Sequence, residues 1–216
     1  QGVLVKKRMT LITAESCTGG LIASLITKEA GSSQVFGAGF VTYANTAKQQ
    51  VLHVSEDTLN SNGAVSEGVV RAMLLGALTK AVADIGIAVS GVAGPGGGSE
   101  DKPVGTVWLA WGTKDKNEAI RLQIPGSRER FQILVAAIGL DLMRRQLLEL
   151  PPIPHYIKRF VHRSARIVRR ARRVQTQIRV VGAIVAIDLC PVRTALKRKQ
   201  NDREACRYRP AKIQSE

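Results

Sequence analysis

Apolar and polar positions along the first 150 residues follow two rhythms, one of period two and one near 3.6, and the rhythms take turns. "MTLITAE" (9–15) is a β-branched apolar run that predicts a buried strand. "TGGLIASLITKEAG" then sets Leu21, Ile22, Leu25 and Ile26 on one helical face and stops at Gly31. "FGAGFVTYA" (36–44) predicts a second strand, and "NTAKQQVL" a short helix with Asn45 as its N-cap. After a helical turn and a loop around Asn62 and Gly63, Ser66 reads as the N-cap of a long Ala- and Leu-rich helix reaching about Asp84. "IGIAVSGVAG" predicts a buried strand that runs into the Gly- and Pro-rich loop "GPGGGSEDKP". "VGTVWLAWGT" and "EAIRLQIPG" alternate as a strand pair across "KDKN", and an amphipathic helix from Ser127 to Leu150 ends at "LPPIP". Strands alternating with helices predict the α/β class, a three-layer α/β/α sandwich whose late hairpin makes the sheet mixed.

Charge divides the chain at the same prolines. Of a formal net charge of +15 over 216 residues, residues 1–150 hold 15 Lys and Arg against 13 Asp and Glu, and residues 151–216 hold 17 against 4. The predicted domains are accordingly 1–150 and a basic tail, 151–216. Cys17, Cys190 and Cys206 show neither metal-ligand spacing nor a paired disulfide framework, which fits a reducing compartment and predicts a cytoplasmic location. "QGVLVKKRMT" lacks the apolar stretch of a signal peptide, and the longest later apolar run, 180–189, is too short to span a bilayer. The chain opens without Met and enters its first strand almost at once, as a fragment would.

Candidate chemistry starts at "LITAESCTGG". Ser16 stands where a strand ends and a helix begins, so the N–H groups of Cys17, Thr18, Gly19 and Gly20 are expected to face an oxyanion or a phosphate. A plain helix cap with glycines for tight packing reads the same letters. A serine nucleophile needs a base, and His53, His155 and His162 give a Ser-His-Asp triad little support. Lys48 is the alternative base if burial leaves it neutral; otherwise it is a solvated helix lysine. Cys17 at a helix N-terminus is a second candidate nucleophile without an evident partner. The glycine-rich loop matches neither GxxxxGK[ST] nor a GxGxxG that opens a helix, which disfavours a triphosphate or dinucleotide fold. "PGSRER" places Arg128 and Arg130 at the start of the last helix, where they suit a phosphate or are simply solvated.

"TAESCTGGLIASLIT", "GAGFVTYANTAK", "NGAVSE", "SGVAGPGGGSEDKPVGTVWLA" and "PGSRERFQ", in this order over residues 9 to 148, resemble the C-terminal domain of the CinA family, the nicotinamide-nucleotide amidohydrolases. The resemblance implies an oligomeric α/β/α enzyme that hydrolyses the carboxamide of nicotinamide mononucleotide to nicotinate mononucleotide and ammonia, in bacterial pyridine nucleotide salvage. It implies Ser16 as nucleophile, Lys48 as base and Tyr43 as the tyrosine that relays or orients the proton. It also implies an arginine for the substrate phosphate, Arg130 before Arg128, and no metal or other cofactor. Glu15 and Thr18 are expected to orient the nucleophile or contact ribose, and the Cys17–Gly20 turn to hold the oxyanion. Two departures are a shortened first helix, "QGVLVKKR", expected to leave apolar surface uncovered, and the tail. A catalytically inactive nucleotide-binding or regulatory module is the competing function.

In the tail, Ile157, Phe160, Val161, Val168, Ala171 and Val174 recur near helical spacing among arginines. If native and exposed, such a helix binds nucleic acid or anionic membrane. The preferred reading is that the tail is disordered or non-native, the product of read-through or a frame shift, because it lacks a second periodic core and acidic balance.

Overall fold

The computed structural model describes residues 1–161. In chain order the elements are α1 (Gly2–Lys7), β1 (Leu11–Glu15), α2 (Leu21–Thr27), a 3-10 turn (Ser32–Gln34), β2 (Phe36–Val41), α3 (Asn45–Leu52), α4 (Glu56–Asn62), α5 (Glu67–Ala81), β3 (Ile85–Gly91), β4 (Thr106–Gly112), β5 (Asn117–Gln123) and α6 (Arg128–Leu147). The strands form one five-stranded sheet in the order β2-β1-β3-β4-β5. β1 pairs in parallel with both β2 and β3, whereas β3–β4 and β4–β5 are antiparallel. The mixed sheet is as the sequence predicts.

Strand alternation divides the core into two layers. Leu11, Ile85, Ile87, Val89, Leu109 and Trp111 face α2 and α6, where they meet Ile22, Phe131, Val135 and Leu142. Ile12, Ala14, Ala88 and Ala110 face the other way, onto Leu52 of α3, Leu59 of α4 and a stripe of α5 made by Val69, Val70, Met73, Leu74, Ala77 and Leu78. Each fully buried Val, Leu or Met contributes roughly 1.5–3 kcal/mol relative to exposure, so the sheet is clamped from both faces. Ser55, Ser66 and Ser127 cap α4, α5 and α6 by accepting from the N–H groups of Thr58, Val69 and Arg130. The cap of α3 is not Asn45, as predicted, but Ala44: the first helical bond runs from Lys48 N–H to the Ala44 carbonyl, and no side chain caps it.

The core also runs past the prolines at which the sequence predicts the domain to close. Helical backbone covers residues 155–161; Ile157 is fully buried, and Ile153 and Phe160 pack on the α6 layer. Two of the residues assigned to the amphipathic tail helix therefore serve the domain core. The predicted tail from residue 162 onward, with Val168, Ala171 and Val174, lies outside the described residues. Beside the short α1, an apolar hollow of about 250 Å³ opens among Val3, Leu4, Leu25, Ile26 and Leu140. Among the described residues no helix is long and apolar enough to cross a membrane.

The parallel strands β1, β2 and β3 end on the same side of the sheet. From β1 the chain turns into α2 over one face and from β2 into α3 over the other, so a crevice opens at those carboxyl ends. α3 reaches it by packing closely on α5, where a Cβ at Gly76 would land on the Leu52 backbone carbonyl. Gly76→Ala is expected to lower unfolding free energy by about 1–3 kcal/mol despite alanine's better helix propensity, measured by denaturant titration. Gly68→Ala, on the same helix with only ordinary contacts at 3.5 Å and beyond, is the control and is expected to be neutral or slightly stabilising.

Candidate active site

β1 leads directly into the site. The Ser16 N–H donates to the Val89 carbonyl at 3.0 Å, which holds the serine in line with β3. Glu15 just before it is completely buried. Its Oε2 accepts from Thr18 Oγ1 (2.7 Å), Gly20 N–H (3.1 Å) and Ile22 N–H (3.0 Å), and its Oε1 from Ala23 N–H (2.8 Å). The carboxylate thus takes the place of an N-cap for α2, whose own cap residue, Gly20, has no side chain to offer. Gly19 and Gly20 adopt positive φ (63° and 97°), which lets the chain double back over Glu15.

This arrangement narrows the expected oxyanion site. Gly19 N–H is taken by the Ser16 carbonyl (3.1 Å) and Gly20 N–H by Glu15, leaving Cys17 and Thr18 as the turn's donors without an acceptor from another described residue. Thr18 donates its hydroxyl to Glu15 and so braces the turn that carries the nucleophile candidate.

Lys48 comes from the first turn of α3, and its side chain points inward with 1 % exposure. Its Nζ donates to the carbonyls of Thr42 (2.8 Å) and Tyr43 (3.1 Å) and lies 3.3 Å from Ser16 Oγ. No ion pair among the described residues includes it. Burial pulls its pKa below the ordinary 10.5, opposed by a smaller influence of Cys17. The geometry excludes the solvated-lysine reading. A neutral amine has two N–H bonds for the two carbonyls and a lone pair left for the Ser16 proton; a protonated one spends its third N–H on Ser16 Oγ.

The other predicted residues divide. Cys17 is buried, and burial pushes its thiol up to about 12, more than Lys48 and Arg128 pull it down, so the thiolate is disfavoured at neutral pH. Tyr43 is 62 % exposed, and its hydroxyl accepts from Arg128 Nη2 at 3.0 Å. Its hydroxyl makes no hydrogen bond to Ser16 or Lys48, so the expected relay is not assembled here; its main-chain carbonyl is what holds Lys48. Arg128 also donates to the Gly94 carbonyl at 3.0 Å and lines the cleft with Ser16 and Lys48. Arg130 is not among the cleft residues and lies over Gly126. Two helical steps rotate a side chain by about 200°, so the two arginines leave α6 on opposite sides. His53 is the C-cap of α3 and outside the cleft.

The cleft itself measures about 230 Å³. Its walls include residues the sequence reading left unassigned: Asn45, Ala64, Val65, Ser90, Gly91 and Ala93. Buried Ser90 donates to the Ala64 carbonyl at 2.7 Å and ties the loop after α4 to the end of β3. The signal was present in "NGAVSE" and "SGVAGPGGG", but nothing local tells a wall from a turn. Among the described residues no three His, Cys, Asp or Glu side chains gather as a metal site would require.

The CinA C-terminal domain family model matches residues 1–147. A CinA-like protein of Colwellia psychrerythraea is 54% identical over 154 residues, 71% of this chain and 36% of that protein, so the chain spans about a third of that relative's length. A protein of Enterobacter agglomerans named nicotinamide-nucleotide amidohydrolase PncC is 49% identical over 150 residues, 68% of this chain and 92% of that protein. The crystal structure of a CinA superfamily protein from Klebsiella pneumoniae 700603 superposes with a TM-score of 0.66 at 38% identity, covering 68% of this chain and 92% of that one. A mixed sheet of this order, five motifs in register and a family match over most of the chain agree: it belongs to the CinA C-terminal domain family.

Proposed function

We propose that this domain is an amidohydrolase that converts nicotinamide mononucleotide to nicotinate mononucleotide and ammonia, in pyridine nucleotide salvage, with Ser16 as nucleophile and Lys48 as base. The observation that carries the reading is the buried Lys48 amine, without a carboxylate partner among the described residues, 3.3 Å from Ser16 Oγ at the cleft. The name of the Enterobacter agglomerans relative supplies the substrate.

Neutral Lys48 takes the Ser16 hydroxyl proton as Oγ attacks the carboxamide carbon. The resulting oxyanion meets main-chain N–H groups of the turn after Ser16. Collapse breaks the C–N bond, Lys48 returns its proton to the departing nitrogen, and ammonia leaves. Water then attacks the acyl-serine, Lys48 taking its proton and passing it to Ser16 Oγ as the ester opens. Arg128, at the rim with the Tyr43 hydroxyl, is placed for the substrate phosphate.

The test is ammonia release from nicotinamide mononucleotide by the whole chain. Ser16→Ala and Lys48→Met are each expected to lower kcat by roughly a thousandfold or more, and the double variant no further, because the two act as a unit. Full turnover in Ser16→Ala sinks the mechanism, and binding without ammonia from the unaltered chain favours the inactive nucleotide-binding module.

The direction of the Lys48 shift sets the pH dependence. Activity is expected to rise with pH along a limb centred below 10.5, as the amine loses its proton. The folded state then binds fewer protons than the unfolded one between the lowered pKa and 10.5, so stability rises with pH across that window; Lys48→Met should flatten this component of the pH–stability profile.

Arg128→Ala is expected to raise KM by about 10- to 100-fold, the loss of one charge-assisted contact, while Arg130→Ala leaves KM near its original value; steady-state kinetics reads both.

A further inference from the structure

The turn after Ser16 is tied from outside by a side chain that the reaction scheme leaves unused. Gln132, near the start of α6, donates Nε2 to the Cys17 carbonyl at 2.9 Å. A carbonyl can only accept, so the amide must present its NH₂ end. The preceding carbonyl, that of Ser16, is held by Gly19 N–H at 3.1 Å. In a planar trans peptide the C=O and N–H point in opposite directions, so fixing one aims the other. Tying the Ser16 carbonyl aims Cys17 N–H, and tying the Cys17 carbonyl aims Thr18 N–H. The neighbouring donors are already used: Ser16 N–H by Val89, Leu21 N–H by Thr18, and those of Gly20, Ile22 and Ala23 by Glu15. Cys17 lies on the cleft wall beside Ser16.

We propose that Gln132 is a positioning residue: its amide locks the Cys17–Thr18 peptide, so that Thr18 N–H stands preset beside Cys17 N–H, which the Gly19 bond aims, and the two serve as donors to the oxyanion formed on the carboxamide. The proposal rests on Ser16 being the nucleophile. Gln132 is half-buried, whereas its neighbour Phe131 is buried in the core and anchors the same turn of α6, so removing the amide leaves the helix packed. What is lost is aim. Donors held in advance stabilise the transition state and not the bound substrate, so the effect falls on kcat.

Gln132→Glu keeps the size and sets an acceptor against an acceptor; Gln132→Leu removes the polar tie altogether. Both are expected to lower kcat for nicotinamide mononucleotide by about 10- to 100-fold, somewhat less than deleting an oxyanion donor outright. KM should stay within about threefold, and the pH limb of Lys48 should not move. An unchanged kcat in either folded variant overturns the proposal, as does a fall in kcat/KM carried wholly by KM. If the unaltered chain releases no ammonia, the substrate reading fails and this one is still tested. An alkyl fluorophosphonate then labels Ser16: the Oγ–P bond forms, P–F breaks, fluoride leaves, Lys48 takes the proton, and the phosphoryl oxygen seats on the same donors. Labelling slowed about tenfold or more in Gln132→Glu upholds the role, and equal labelling overturns it.

Discussion

A lysine amine held almost wholly out of water, with carbonyls and a serine hydroxyl as its partners, is the constraint on which this structure turns. A charged amine in that place would be costly without a carboxylate, and none among the described residues pairs with it. Burial lowers the cost of the neutral form relative to the charged one, and the neutral form is the one that can accept a proton from Ser16. The packing that achieves this is ordinary. α3 seats Leu52 in the core below Lys48 and rests on α5 where Gly76 has no side chain, and the end of β2 bends so that two successive carbonyls face the amine.

The serine side is organised by a second buried polar group. Glu15 spends both oxygens on the start of α2 and on Thr18, so the helix N-terminus, which would otherwise attract an anionic ligand, is already filled by the protein. This changes the meaning of the glycine-rich turn. Its glycines serve the return of the chain over Glu15, and the donors left without an acceptor among the described residues are those nearest Ser16. Local stability and chemical competence depend on the same few bonds.

The sheet was legible because its signals are local. Alternating runs such as "IGIAVSG" and "TVWLAWG" mark strands by themselves, and Ser66 and Ser127 cap helices by chemistry that acts over three residues. Ser16 and Lys48 were legible as candidates, through their motifs. What was not legible shares a cause. Asn45 is a good capping residue, but it is the first helical residue of α3, and Ala44 before it, in extended backbone, is the cap. Tyr43, Arg128 and Arg130 are polar and near the right elements, yet which of them faces the cleft depends on helix phase and on the neighbouring Gly94 carbonyl. Ile157 and Phe160 sit among arginines in the sequence, but an open apolar surface beside α6 draws them into the core.

The sequence by itself determined the alternation of elements, the mixed sheet, the family motifs and the pair of residues able to act as nucleophile and base, because each is written in spacing that survives without tertiary contacts. Only the tertiary structure decided the burial and direction of those groups. Thirty-two positions separate Ser16 from Lys48, and 115 separate Cys17 from Gln132. Their meeting depends on three strands ending at one crevice, on α3 and α6 covering opposite faces, and on which carbonyls the chain turns inward. Desolvation of an amine and the aim of a peptide N–H are properties of an enclosure, and no single stretch of the chain contains one.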